Sequence, residues 1–600
     1  MKIVECTTAA TGVAALHIRA FAFYAVLAVA MTWPLATQLS TSVPDLGDPL
    51  LNAWIVDWVC HALTHAPLAL FDAPIYHPAP DTLAFSEHMT GIALIVLPLH
   101  LAGLSALTVY NLALLLGFAF AGYGAFVLAR VITGSTSASL IAGVVHAFAS
   151  FKIAHVQHLQ IVWSGWLPLL LAALIVYRRE PRVRNAAFVG VAFTMNGLTN
   201  IHWLLFGGFA LVMTIASLRP RRWRPLAGAL VISSLVLLPF LLPYQRVAST
   251  YGARRTTGEA KRMQAAPVHW LVASSRNVIY GDTMKQWRTD ERELFPGIVA
   301  IVLAAIGLWS ARPLTIAPRR GFRRIDIAIA LFGALTIAVA FAGRVKIGPL
   351  SFAGADVPAV ITTILVLIRI APWVRVRSAE ISAAALWVVI GFCGSLGWNF
   401  FLHPFLFRVI APFRATRVPA RWAAIAYVGI AVLAALGAAK LTRERRAFAA
   451  VLLALAIADN TSRVRWQHVP PPAPIYAHVR GASSLLEVPL TGEGIPFRYL
   501  LAQTQHRVPL VNGTSGWETP AHEQLRRLER ERRYPLGFVR DAELLLVHDA
   551  LLSDAQRAAI APLLTKLQLV RREGDDALYR SAAAPAAALV PERRLAPPHS

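Results

Sequence analysis

Lysine and arginine are absent from Ala20 through Ala129, a stretch that carries six carboxylates and five histidines. The rest of the chain is so basic that the formal net charge is still +25. Cysteine is scarce as well. Cys6, Cys60 and Cys393 are scattered and make neither a disulfide framework nor a thiolate metal site. No Gly-x-x-x-x-Gly-Lys motif and no dinucleotide fingerprint occurs, so nucleotide-fed energetics and soluble nucleotide-sugar chemistry have no support. No repeat of fixed period is visible. Only 15% of the 600 residues are charged, which is rare for a soluble protein and ordinary for a polytopic membrane protein. An isoelectric point near 10.9 would suit nucleic-acid binding. Here the arginines cluster between apolar runs, so orientation in a membrane accounts for them and no nucleic-acid partner is expected.

Apolar runs at 17–39, 108–130, 138–150, 161–177, 186–200, 201–217, 226–243, 296–311, 325–342, 358–371, 381–396, 421–440 and 447–458 predict an all-α polytopic bundle of about thirteen spans. Several are shorter than the ~20 residues of a straight crossing. The first reads as an uncleaved signal anchor. Basic clusters at 178–184, 219–224, 319–324, 375–377 and 440–446 fall on one side if residues 90–104 do not cross. The positive-inside rule then puts the N-terminus in the cytoplasm and the C-terminus outside. The outer elements are a first loop (40–107), a short loop at 151–160, a long loop (244–295), a loop at 397–420 and a tail. The transmembrane part is 1–459. Residues 460–581 read as a small α/β domain with strands near 485–490 and 543–548 and an amphipathic helix at 554–567. Residues 582–600 are rich in proline and alanine and read as disordered.

A basic-free acidic loop behind the first span is the first place to seek a general base. Asp48 precedes Pro49, and residues 50–65 follow a helical pattern suited to the membrane interface, with Trp54 and Trp58 at headgroup depth. Asp48 is placed to cap that helix. Capping alone is the bland reading, and proton abstraction from an acceptor is the functional one. Asp45 is the reserve. Asp57, His61 and His65 share one helical strip, so they form either a divalent-metal set or a hydrated edge. Glu87 and His88 close the loop and offer to line a site. In the 151–160 loop, His155, His158 and Lys152 offer a lipid phosphate contact, a metal site shared with the first loop, or a plain polar patch. Glu293 ends the long loop. Arg414, Arg417 and Arg421 crowd the outer end of a span, where guanidinium forks match phosphate oxygens or anchor to headgroups.

These pieces resemble the GT-C superfamily of polytopic glycosyltransferases, nearest to bacterial YfhO-like and protein-mannosyltransferase-like membrane proteins. The resemblance rests on Gly47-Asp48-Pro49-Leu50-Leu51-Asn52-Ala53-Trp54, Phe85-Ser86-Glu87-His88, His155-x-x-His158-x-Gln160, Glu293-x-Phe295-Pro296-Gly297, Arg417-Val418-Pro419-Ala420-Arg421 and Val511-Asn512-Gly513. It implies a bacterial cell membrane, a polyprenyl-phosphate sugar donor and inversion at the anomeric carbon. By the same match Asp48, with Asp45 beside it, is the base. Arg414, Arg417, Arg421 and Lys152 hold the donor phosphate. Asn52, Glu87, His88, His155, His158, Gln160 and Glu293 line the cavity. Many members carry a second acidic residue where this chain has Pro49, so a divalent metal is possible and not required. The other class open to this sequence is a non-enzymatic flippase, exporter or accessory factor for lipid-linked envelope glycans, which predicts charged residues along a mid-membrane path.

Overall fold

The computed structural model describes residues 2–252, 255–310, 324–342, 345–347, 350–352, 358–359, 361–362, 365–366, 378–443 and 447–581. Most of the expected span 358–371, much of the basic clusters 319–324, 375–377 and 440–446, and the tail 582–600 lie outside the described residues.

Six of the described helices are long and apolar enough to cross a membrane, over Gly12–Met31, Ala106–Thr133, Thr136–Ala154, Leu159–Arg179, Arg224–Thr250 and Pro419–Thr442. Shorter apolar helices cover Thr90–Leu101, Trp203–Leu218, Ile298–Ser310, Ala379–Ser395 and Ala447–Asp459. The helices used below are α1 (Lys2–Met31), α2 (Asp48–His65), α3 (Thr90–Leu101), α4 (Ala106–Thr133), α5 (Thr136–Phe148), α6 (Trp166–Arg179), α7 (Val183–Thr199), α8 (Arg224–Thr250), α9 (Ile298–Ser310), α10 (Ala379–Ser395), α11 (Ala423–Thr442) and α12 (Ile495–His506).

Helix ends follow local chemistry. Ser105 accepts a hydrogen bond from the Thr108 amide at the start of α4, and Gly134 closes it in the left-handed conformation at φ 68°, the usual serine start and glycine stop. Helix α11 is the axis of the bundle. It packs on α5, α9 and α10, and nearly all of it is buried. It reaches α9 through two facing glycines. A Cβ on Gly307 would sit 2.0 Å from the Leu433 carbonyl, and one on Gly437 2.0 Å from the Leu303 carbonyl. Small residues allow this backbone approach, which supplies contact where lipid offers no hydrophobic drive.

Helix α7 and the next apolar helix join without a loop. The chain turns at Asn200, whose side-chain oxygen accepts from the His202 and Trp203 amides at 2.7 and 3.3 Å. A single π-helical turn, Trp203–Gly207, then starts the return helix. This sharp turn puts His202 at the end of the bundle that carries the loops.

The tail holds a four-stranded sheet in the order Leu485–Val488, Leu544–His548, Asp576–Arg580, Gln568–Glu573, parallel in the first pair and antiparallel in the others. The strand from Leu485 stops at Val488 because Pro489 has no N–H for the ladder. The sheet does not stand apart from the bundle. The Leu510 amide donates to the Pro74 carbonyl at 3.0 Å and the His77 amide to the Leu510 carbonyl at 2.8 Å. Helix α12 lies over α2. Trp54 Nε1 donates to Gln503 at 2.8 Å, and Arg507 forks Asp57 at 2.5 and 3.2 Å.

Two expectations change here. Trp54 and Trp58 of α2 do not stand free on the open face that the pattern suggested. Trp54 is 1% exposed and Trp58 donates to the Leu70 carbonyl at 2.9 Å, because the tail covers the face that the pattern left open. The strip Asp57, His61, His65 is no metal site. Asp57 is taken by Arg507 and by His100 at 3.3 Å, while His61 and His65 stack on each other at 4.3 Å.

Candidate active site

Three segments meet above the bundle. The first is the start of α2. Gly47 is its N-cap, and Asp48 is already helical with no capping bond, contrary to the sequence expectation. Pro49 fits this first turn because its missing N–H would be unpaired there anyway. The Asp48 side chain turns instead to His158, with Oδ2 3.0 Å from Nε2. The second segment is the turn between α5 and α6. Asn52 donates to the Gln157 carbonyl at 3.0 Å, and Arg276 donates to the Ile153 and Ala154 carbonyls at 2.9 and 3.2 Å. The third is the end of the long loop, where Glu291 sits at φ 68°, a strained region for a residue with a Cβ.

Glu291 is the hub. Arg421 grips both its oxygens, Nε to Oε2 at 3.0 Å and Nη2 to Oε1 at 2.5 Å. His155 Nε2 lies 2.6 Å from Oε2, and His158 Nε2 lies 3.9 Å from Oε1. Burial opposes ionisation of Glu291, yet Arg421 and His155 hold its carboxyl well below the usual range. Burial likewise raises Asp48, and the His158 hydrogen bond with the Arg421 charge outweighs it, so the carboxyl titrates below its ordinary value. Both acids are therefore carboxylates near neutral pH. Asp45 differs. Its Oδ1 accepts the Gly47 amide at 2.9 Å, and burial raises its carboxyl. It shapes the loop and lies behind Asp48.

Among the described residues, His155, His158 and Glu291 are the one group able to hold a metal ion, their ligand atoms lying within 4.8 Å of one another. His155 Nδ1 faces the Phe151 carbonyl at 2.6 Å, the outer hydrogen bond usual for a ligating histidine. Burial lowers the pKa of His155 although Glu291 pulls the other way. His155 Nε2 and the Glu291 carboxylate face each other at 2.6 Å, a contact held together by a proton or a divalent cation between them.

A cavity of about 270 Å³ opens beside this network, lined among others by Asp48, Asn52, Glu87, His158, Gln160, Arg417 and Arg421. Glu87 accepts from the Ile201 amide at 2.8 Å and meets His202 Nδ1 at 3.0 Å. Burial raises its carboxyl, and His202 and the amide bring it back below the usual value. Arg417 is exposed and makes no ion pair among the described residues. Arg255 faces the same space. Its guanidinium lies 3.9 Å over the Trp517 ring, and it donates to the Gly516 carbonyl at 2.9 Å.

Several candidates from the sequence lie elsewhere. Lys152 points into the bundle, where Nζ donates to the Ile161 carbonyl at 2.7 Å and to the Ser164 hydroxyl, because the helical turn Ser150–Ala154 continues inward from α5. Arg414 is spent on the Phe407 and Arg408 carbonyls of its own loop. His88 is buried on Thr90 at 2.7 Å. Glu293 pairs with Arg288 at 3.2 Å, and burial raises its carboxyl. Glu291, His202, Arg255 and Trp517 were not singled out by sequence. Glu291 shares an acidic run with Glu293, and nothing in that run says which acid turns inward. A polar Asn200-Ile201-His202 break between two apolar runs was a usable sign.

Loop-borne acids and arginines thus face one cavity at one end of a multi-helix bundle, with the tail beside them. The chain is similar in structure to the arabinofuranosyltransferase AftD from mycobacteria, with TM-score 0.55 and 14% identity over 94% of this chain. An AftD mutant, R1389S, matches at TM-score 0.51 and 15% identity over 95% of this chain. The chain spans 40% and 42% of those two chains. ArnT from Cupriavidus metallidurans aligns with 96% of this chain and all of its own at TM-score 0.37 and 15% identity, too distant a likeness to argue from. No family model and no curated protein matches the sequence. The chain thus shares its fold with the AftD structures.

Proposed function

We propose that this chain transfers a sugar from a polyprenyl-phosphate donor to an acceptor hydroxyl or amine on the extracytoplasmic side of a bacterial cell membrane. In this reading the bundle crosses about thirteen times with the N-terminus inside, and the tail lies outside. The observation that carries it is that a carboxylate, Asp48, and a guanidinium with no ion pair among the described residues, Arg417, line one cavity.

Asp48 takes the acceptor proton while the acceptor atom bonds to the anomeric carbon. The bond from that carbon to the phosphate oxygen breaks on the opposite face, and the phosphate leaves with the electron pair. Arg417 and Arg255 stabilise the charge that develops there. Arg421 is a positioning residue, since its Nε and Nη2 edge belongs to Glu291. His158 donates to Asp48 and fixes the lone pair that receives the proton. A divalent ion on His155, His158 and Glu291 is a second reading. It is supported by the three ligand atoms lying within 4.8 Å of one another; the ion would take the His158 Nε2 lone pair in place of the hydrogen bond to Asp48 and add positive charge there. The test is incorporation of radiolabelled sugar from a polyprenyl-phosphate donor by the full chain in liposomes, with Asp48→Asn as control. Label that moves equally well without the carboxylate refutes Asp48 as base. No donor consumption at all leaves the flippase, exporter or accessory role.

A further inference from the structure

A second chamber of about 400 Å³ adjoins the first, and Phe497, Ser515, Gly516 and Trp517 line both. Its walls come from the tail and the first loop, through Tyr76, Thr491, Thr514, Glu518, His522 and Arg526. No residue proposed above for chemistry lines it. Either space alone is near the small end of the ~300–1,000 Å³ range of small-molecule sites, and the two joined fall inside it.

The chemistry of the walls is specific. Glu518 Oε2 holds His522 Nδ1 at 3.0 Å and Arg526 Nη1 at 3.0 Å. His522 and Arg526 hold the Glu518 carboxyl at about 2, so it is an anion with hydrogen-bond capacity to spare. His522 is 3% exposed, and its Nε2 has no hydrogen-bond partner, an exception among buried polar groups that asks for a ligand or water. Trp517 is half-buried with one face under Arg255. Carboxylate, guanidinium, hydroxyl and indole together fit a neutral polyhydroxylated ring, which offers many hydroxyls to fixed donors and acceptors and an apolar C–H face to an aromatic. A purely apolar lipid acceptor would leave the buried His522 Nε2 without a partner.

We infer that the second chamber is an acceptor subsite for a glycan of at least two sugar units, whose inner rings rest against Glu518, His522 and Arg526 while its terminal ring enters the Asp48 cavity. This rests on the transferase reading for the terminal ring's fate. The binding claim stands apart from it.

The test uses the detergent-purified full chain on a panel of neutral mono-, di- and longer oligosaccharides. At least one longer member should bind more tightly than its monosaccharide. Glu518→Gln and Arg526→Gln should weaken that binding about 10-fold, the scale of losing a charge-assisted hydrogen bond. Thr514→Trp, a half-buried loop position outside the trio, should block it with the melting temperature kept. In a donor assay the same three variants should still release sugar to water while losing transfer to the oligosaccharide. Failure of every panel member to bind, equal binding of monosaccharide and oligomer, or binding untouched by all three variants overturns the inference. Absence of donor cleavage by the parent chain defeats the transferase reading, and panel binding still judges the chamber.

Discussion

Arg421 and Glu291 form a two-pronged ion pair across 130 residues, at 3.0 and 2.5 Å, with both side chains more than nine-tenths shielded from solvent. The pair ties the end of the long loop to the start of the axial helix α11. It also sets the field in which Asp48 and His158 work.

Replacing Asp48 by Asn should lower sugar transfer ~100-fold or more, a typical loss for a general base. The amide keeps the length of the side chain, so the melting temperature should stay within a degree or two of the parent. Single-turnover rates of the two proteins, beside their thermal melts, check this.

Arg417 and Arg421 should fail in different ways. Arg417→Gln removes an exposed cation that makes no ion pair among the described residues, so KM for the donor should rise about 10-fold with the fold intact. Arg421→Gln strands a buried carboxylate, which costs about 3–5 kcal/mol. Adding Glu291→Gln to it should recover part of that stability. Denaturation of the three proteins, read beside donor KM, separates the roles.

Lys152→Met should leave donor KM unchanged and lower the melting temperature. Its Nζ serves the Ile161 carbonyl and Ser164, not a phosphate. A KM increase matching that of Arg417→Gln would return Lys152 to the donor site.

Stability of the tail should fall on the alkaline side. Burial lowers the pKa of His548, and Asp576 at 2.7 Å and Glu487 at 3.1 Å more than reverse it, raising it from 6.5 to about 9. A folded value above the unfolded one gives stability that is complete below pH 6.5 and lost as pH climbs through 9. The amount is on the order of 3 kcal/mol. Tail melting followed from pH 6 to 10 should show the decline, and His548→Gln should flatten it.

The sequence made the helical nature of the bundle and the tail strands legible because apolar periodicity and strand composition are local properties. Asp48, Asn52, Glu87, His158, Gln160, Arg417 and Arg421 share one cavity; most were marked by their place beside an apolar run, and Asn52 and Gln160 by the resemblance alone. Partner choice was not legible. Asp57 was read with His61 and His65 because helical spacing is visible, whereas its true partner, Arg507, is 450 positions away. Lys152 looked available because its loop is short, and only the inward continuation of α5 hides it. Glu291 and Glu293 differ by which way a strained backbone turns, and composition does not encode that.

Helix α2 is held between the bundle and α12, and this sandwich constrains how such proteins diversify. A version ending at Asp459 would retain every described apolar helix yet uncover Trp54 and leave Asp57 without its arginine, so the Asp48 segment would lose the platform that holds it. Recombination that swaps tails among relatives would have to carry the first loop along. The two segments, far apart in the gene, should behave as a single unit of inheritance.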